Sequence, residues 1–321
     1  MFVQLMLRPK DYCPRRGCNM NNNYVLSYIN PDTDGIACAI SMAKLLSSKN
    51  ENWTPAVFGS IGKETLFVLN SLEISIPTTD ILLDEVDKIV LVDTHHKTQL
   101  PIGFPYDRVV SIIDHHPNGD EDLFPNADIL NRKIGAAASL VAEMYIKRKI
   151  VDIPILKLLG FAILSNTLNF CAPSWTEFDK NIFRKICDIA PIDAEQIDRM
   201  FEQRSLILKK DIYVALGADF KVFDTKFGRV GVSQIEAYNL ENMIDVSQCV
   251  DALQRLADEN ELDLCLFNGV DIRYKRSLVI AANSQSQELL SSLFRLDECS
   301  ESHIFNRILL RKTDFVPQLN M

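Results

Sequence analysis

Two aspartates, each closely followed by a pair of histidines, stand at the ends of apolar runs. Asp93 follows Ile89-Val90-Leu91-Val92 and precedes Thr94-His95-His96, and Asp114-His115-His116 follows Val109-Val110-Ser111-Ile112-Ile113. A third acidic stretch, Asn30-Pro31-Asp32-Thr33-Asp34, follows the apolar run from Tyr24 to Ile29. A lone Asp-x-Asp at such a place reads as a helix N-cap, and a lone Asp-His-His reads equally well as a set of satisfied partners. Three such groups in one topological position point instead to a divalent-metal site, because an unpaired carboxylate at the end of a buried strand is costly. Oxygen-rich ligation with one or two imidazoles suits Mn²⁺ or Mg²⁺, with Co²⁺ or Zn²⁺ as substitutes. Bridging carboxylates hold two such ions about 3.5–4 Å apart and activate a water between them, which is the chemistry of phosphate-ester and phosphoanhydride hydrolysis.

The elements that would position these groups alternate along the chain. Strands are expected at Tyr24–Ile29, Ala56–Phe58, Lys88–Val92 and Arg108–Ile113. Helical patterns lie at Gly35–Leu46, Gly62–Leu72, Ile134–Lys149, Pro154–Ser165 and Thr176–Ile189. Continuous Val/Ile/Leu runs alternating with helices predict an α/β layered domain built on a mainly parallel sheet. In such sheets ligands bind outside the carboxyl ends of the strands, where all three acidic stretches fall. The polar stretch Pro191–Lys210 reads as a helix-bearing connection. Beyond it, strands near Ile212–Phe223, Arg229–Gln234, Asp263–Phe267 and Ser277–Ala281, with helices at Val246–Glu259 and Ser286–Phe294, predict a smaller C-terminal α+β domain. The expected division is residues 1–19 as a disordered extension or misassigned start, 20–190 as the metal-binding domain, 191–210 as linker and 211–321 as the smaller C-terminal domain.

A chain of 321 residues accommodates two such domains. The net charge of −9 argues against broad nucleic-acid binding, which needs a basic face, while leaving room for a local basic pocket. No stretch approaches the roughly 18 apolar residues of a membrane span. The eight cysteines are scattered, several inside apolar segments, as expected for reduced thiols in a cytoplasmic protein. Cys13 and Cys18 are too isolated for a structural metal site. Residues 1–19 lack the apolar core of a signal peptide, and Met20, just before the first strand-like run, reads as the true start.

Asn30-Pro31-Asp32-Thr33-Asp34, Leu91-Val92-Asp93 and Asp114-His115-His116 together resemble the DHH phosphoesterase superfamily, and within it the manganese-dependent (family II) inorganic pyrophosphatases with DHH and DHHA2 domains. The likeness continues through Gly135 to Ser139, Ala142 to Tyr145, Ile163 to Leu168, Thr176 to Asp179, Lys221 to Phe223, Val230 to Gln234 and Leu310 to Pro317, so that it runs from about Met20 to the end. The resemblance implies that Asp32, Asp34, Asp93 and His115 hold two Mn²⁺ ions, with Asp93 as the bridge and Co²⁺ or Mg²⁺ as substitutes. It implies that His116 lies close to the substrate phosphate and acts in catalysis with Asp93, and that Lys221, Arg311 and Lys312 bind phosphate. It also implies a homodimer through the first domain's sheet.

Two ligand positions depart from the family pattern. Tyr28 stands where the family has its first histidine ligand, and Asn166 where it has its last aspartate. A phenol is a poor ligand at neutral pH, and an asparagine carbonyl coordinates without bringing charge. Thr94-His95 also replaces the usual His-Asn, so His95 and His96 become candidate replacement ligands. The leading expectation is hydrolysis of pyrophosphate, a small phosphate substrate. The alternatives are the same fold acting on polyphosphate or a nucleotide phosphoester, and a weakened relative that binds a phosphorylated ligand or protein partner.

Overall fold

The structure is a computed structural model, and it describes residues 22–47 and 51–320. The expectations for residues 1–19, for Cys13 and Cys18, and for Met20 as the start lie outside the described residues.

Strands β1 (Asn23–Leu26), β2 (Trp53–Pro55), β3 (Lys88–Val92), β4 (Val109–Asp114) and β5 (Asp128–Asn131) form one parallel sheet in the order β2-β1-β3-β4-β5. Alternation along β3 explains why the strand reads as a continuous apolar run. Val90 and Val92 enter one core with Ile36, Leu140 and Leu159, whereas Ile89 and Leu91 enter another with Leu100, Phe104 and Phe124. The sheet is therefore buried on both faces. Helices α1 (Thr33–Ser47), α3 (Ala137–Lys147), α4 (Ile153–Asn166) and α5 (Glu177–Ile189) pack together on the first of these cores, and α2 (Lys63–Ser71) borders them.

Two devices tie this layer together. Thr176 and Asp179 form a capping box at the start of α5, and Asp179 also accepts from the Gly135 N–H and the Ser139 hydroxyl, so one carboxylate anchors α5 to α3. Helix α3 has no capping side chain of its own; its Ala137 and Ala138 N–H groups donate instead to Asp34, both at 2.8 Å.

Helix α6 (Ala194–Ser205) and a short turn lead to the second sheet. The single strand expected over Ile212–Phe223 is two elements, α7 (Ile212–Gly217) and β6 (Phe220–Thr225). Asp211 caps α7 by accepting from the N–H groups of Tyr213 and Val214, which turns an apolar run of strand-like composition into a helix. Strands β6, β7 (Gly228–Ala237), β8 (Leu264–Asp271), β9 (Arg276–Ala281) and β10 (Ser302–Phe305) lie in the order β10-β9-β8-β7-β6. Only β7 and β8 pair in parallel, so the sheet is mixed. Helices α8 (Val246–Glu259), α9 (Ser284–Phe294) and α10 (Val316–Asn320) complete this α+β unit, with a π-helical turn, Arg311–Phe315, leading into α10. Among the described residues no helix is long and apolar enough to cross a membrane.

Candidate metal centre and phosphate cleft

The three acidic stretches leave the carboxyl ends of β1, β3 and β4, which are adjacent in the sheet. β1 lies at the point where the strand order reverses, since the chain next adds β2 on one side and β3 on the other. The topology thus brings together groups from about twenty to about eighty residues apart in sequence.

Asp93 follows β3 with a left-handed backbone, φ 59°, a conformation that asparagine and aspartate tolerate better than most residues. Its side chain is buried, and its Oδ1 has no hydrogen-bond partner among the described residues. The His115 Nε2 faces that oxygen at 3.2 Å, outside hydrogen-bond alignment. The other ring nitrogen of His115 lies 2.9 Å from the Ile134 carbonyl, which fixes Nδ1 as the donor and turns Nε2 toward the carboxylates. One potential ligand atom each from Asp93, Asp114, His115 and His116 fall within 4.8 Å of one another.

Burial and the neighbouring Asp34 carboxylate push Asp93 well above the ordinary carboxyl range. Burial likewise pushes Asp34 up to about 6, against the charge on His115. Burial lowers His115, but the Asp93 and Asp34 carboxylates prevail and raise it to about 10. Two buried carboxylates that repel each other, beside an imidazole that must borrow a proton to compensate them, form a site short of positive charge. The donor set fits a divalent cation: carboxylate oxygens, one imidazole nitrogen already oriented, and one buried oxygen without a partner.

Asp114 has a different task. Burial raises its carboxyl, yet hydrogen bonds from His116 and His95 hold it down at about 2. Its Oδ1 also accepts the backbone N–H groups of His115, at 2.6 Å, and His116, at 3.2 Å. The carboxylate fixes the turn that presents both histidines, a role the sequence analysis did not assign although Asp114 ends β4 much as Asp93 ends β3. His95 is fully buried and bonded through Nδ1 to Asp114 Oδ2, and Gly119 closes over its ring. His96 packs edge-on to His116 with ring centroids 6.3 Å apart. Neither belongs to the cluster around Asp93, and nor do Asp32 and Asp34; the His95 Nε2 is buried without a hydrogen-bond partner among the described residues.

The first acidic stretch divides its work. Asp32 caps α1, its Oδ1 accepting from the N–H groups of Asp34 and Gly35 at 2.8 and 3.2 Å, and its side chain remains exposed. Asp34 is buried, with Oδ2 4.0 Å from the His115 Nε2. At the two departures, the Tyr28 hydroxyl accepts the Asp32 N–H at 3.1 Å, and burial with the nearby Asp32 and Asp93 carboxylates pushes its phenol far above the ordinary range. Asn166 turns its amide nitrogen to Asp34 at 3.1 Å and to the Gly135 carbonyl at 2.9 Å. It therefore donates a hydrogen bond to the Asp34 carboxylate where a carboxylate ligand would add charge. After α4 the chain turns through three successive left-handed residues, Leu168, Asn169 and Phe170, with φ of 49°, 55° and 59°.

A cavity of about 520 Å³ adjoins Asp32 and is otherwise bordered by Arg204, Asp219, Gln234 and Glu236. Arg311 is buried behind it. Its guanidinium grips the Asp219 carboxylate at 2.6 and 2.8 Å, and its backbone N–H donates to Gln234. The Arg311 fork is thus engaged within its own domain, whereas Lys221 and Lys312 are exposed. Sequence reasoning missed Arg204, which ion-pairs with Glu64 and Glu236, because nothing local marks a partner 140 residues away.

Comparison with known proteins agrees with this geometry. The N-terminal domain of the DHH family matches residues 22–163, and the DHHA2 domain matches residues 198–321. The manganese-dependent inorganic pyrophosphatase of Methanothrix thermoacetophila is 30% identical over 305 residues, covering 93% of this chain and 97% of that protein. The enzyme of the same description from Methanocaldococcus jannaschii is 29% identical, covering 92% of this chain and 97% of its own. A crystal structure of a family II inorganic pyrophosphatase from Methanococcus jannaschii superposes with a TM-score of 0.64, at 29% identity and over 92% of this chain and 98% of that one.

Proposed function

The chain belongs to the family of manganese-dependent inorganic pyrophosphatases, and from that premise we propose that it hydrolyses pyrophosphate to two phosphates at the Asp93–His115 cluster. The observation that carries this reading is the buried Asp93 carboxylate, whose Oδ1 has no aligned hydrogen bond and ion-pairs at 3.2 Å with an oriented imidazole nitrogen, beside a second buried carboxylate. Asp32, Asp34, Asp93 and His115 would hold Mn²⁺. The bound metal supplies Lewis-acid charge and lowers the pKa of a water molecule.

The remaining work falls to the chain itself. Ile134 holds the His115 ring through Nδ1, so Nε2 keeps its direction. Asp114 holds His116 at 2.8 Å through Nδ1, which leaves the His116 Nε2 to contact a phosphate oxygen and share its proton. On the opposite wall Arg311, Lys221 and Lys312 meet the outer phosphate, Arg311 as a fork and the lysines as point charges. Because Arg311 is bound to Asp219, the phosphate must replace that carboxylate or share the guanidinium with it. Closing the cleft would exclude water and strengthen each of these interactions. Residues 20–190 would then act as the metal-binding domain, 191–210 as the linker and 211–321 as the phosphate-binding domain. The reading extends to a cytoplasmic homodimer paired through the first sheet, which sedimentation would test.

A second reading, a weakened relative that binds without turning over, draws on one observation: Asn166 donates to Asp34 where the family has a carboxylate. The same assay separates the two. Metal-stripped protein given Mn²⁺ is expected to release phosphate from pyrophosphate faster than from tripolyphosphate or a nucleotide. Faster release from another substrate would change the assigned substrate, and no release from any of them would favour the binding protein.

A further inference from the structure

Arg204, near the end of α6, makes contacts that reach well outside its own helix. Its Nε meets Glu64 Oε2, in α2, and its Nη1 meets Glu236 Oε2, in β7 of the second sheet. Its Nη2 donates to the Ser165 carbonyl at 3.1 Å and to the Ser165 hydroxyl at 2.8 Å, near the end of α4. These partners lie 140, 32 and 39 residues away in sequence.

Each limb ends next to a residue assigned to the site. Glu64 also accepts from the Thr33 hydroxyl at 2.9 Å and from the Ser165 hydroxyl. Thr33 sits between Asp32 and Asp34, and Ser165 immediately precedes Asn166. Glu236 lies two residues beyond Gln234, whose side-chain oxygen accepts the Arg311 N–H at 2.6 Å. Arg204 also borders both cavities that adjoin Asp32, one on the α2 side and one on the β7 side. Glu64 is only 8% exposed, so without the guanidinium it would be a buried charge with no countercharge.

We propose that Arg204 is a positioning residue that locks the two segments carrying Asp32, Asp34 and Asn166 to the second sheet through Glu64 and Glu236. The proposal rests on the assignment of those residues to a metal site. It gives the limbs separable roles: the Glu64 limb holds the metal-bearing segments in register, and the Glu236 limb holds the phosphate-binding wall against them. A guanidinium suits both tasks because its planar fork spans two carboxylates, which an ammonium does not.

The test compares Arg204→Met, Arg204→Lys and Glu236→Ala with the full-length parent. Two readouts are used: Mn²⁺ affinity of metal-stripped protein by calorimetry, and the KM and kcat for pyrophosphate. Arg204→Met is expected to bind Mn²⁺ at least tenfold more weakly. Glu236→Ala is expected to bind Mn²⁺ within twofold of the parent while its KM rises about fivefold or more. Arg204→Lys keeps the charge and loses the fork, and is expected to fall between parent and Arg204→Met in Mn²⁺ affinity; it decides the question if Arg204→Met does not fold. Parental Mn²⁺ affinity in folded Arg204→Met, or in Arg204→Lys where it alone folds, would overturn the proposal, as would an unchanged KM in Glu236→Ala. Calorimetry needs no turnover, so failure of the pyrophosphatase reading would show as absent hydrolysis in the parent, with the Mn²⁺ comparison still decisive.

Discussion

At the scale of single residues the site is short of positive charge in a specific way. Asp34 and Asp93 are both buried, and Asn166 answers Asp34 with an amide hydrogen bond. Replacing Asn166 by aspartate removes that hydrogen bond and adds a carboxylate beside His115. Mn²⁺ affinity measured by calorimetry is expected to rise tenfold or more, about 1.4 kcal/mol per factor of ten, and unchanged affinity would place Asn166 outside the ligand shell. Gly119 tests the buried arm of the same network. A Cβ there would come within 1.7 Å of the His95 ring, which is fully buried and held by Asp114. Gly119→Ala is therefore expected to cost about 3 kcal/mol in a urea melt, by overpacking with nowhere to yield. These two positions also show what sequence reading could and could not reach. The gathering of Asp93, His115 and His116 into one cluster was legible because carboxylates and imidazoles at strand ends need a partner. His95 carries the same chemistry at the same kind of place, yet it serves Asp114, and only the direction of its ring distinguishes the two roles.

At the scale of elements, the parallel sheet was readable because burial on both faces leaves an unbroken apolar run, as in β3 and β4. β5 and β10 were not expected, since each spans four residues, too few to show a pattern. The helix at Ile212–Gly217 was hidden for another reason, its composition being strand-like and its cap a single aspartate. The contact of α2 with α6 has a consequence for pH. Burial raises the Glu64 carboxyl, but the Arg204 guanidinium outweighs it and holds the group below the ordinary glutamate value of 4.5. A lowered folded-state value means that Glu64 stabilises the fold above the ordinary range and that this contribution disappears as pH falls through the lowered value. In Arg204→Met the same buried carboxyl has no cation and takes up a proton earlier. The acid limb of stability against pH is thus expected to move to higher pH in the variant, read from urea midpoints at successive pH values. Coincident acid limbs would mean that Arg204 does not set the charge state of Glu64.

At the scale of the whole molecule, a cavity joins Asp32, beyond the first sheet, to Asp219, Gln234 and Glu236 of the second unit, with Arg204 at its border. Carboxylates stand at the carboxyl ends of β1, β3 and β4, and Arg311 is held by Asp219 and Gln234, which border the cavity. Under the proposed reading the two groups are complementary: the carboxylates and His115 would hold the metal, and Arg311, Lys221 and Lys312 would hold the phosphate. The resemblance of the motifs carried this two-part organisation from sequence alone, because motif order and spacing run through both units. The tie between the units was not legible, since Arg204, Glu64 and Glu236 are ordinary charged residues until the fold brings them together. The most direct test of the account is phosphate release from pyrophosphate by metal-stripped protein as Mn²⁺ is added back, with Asp93→Asn measured in parallel. The account predicts release that rises with Mn²⁺ in the parent and falls by about a thousandfold or more in Asp93→Asn, on the order of 4 kcal/mol of transition-state stabilisation. Release that is independent of Mn²⁺, or undiminished in Asp93→Asn, would contradict it.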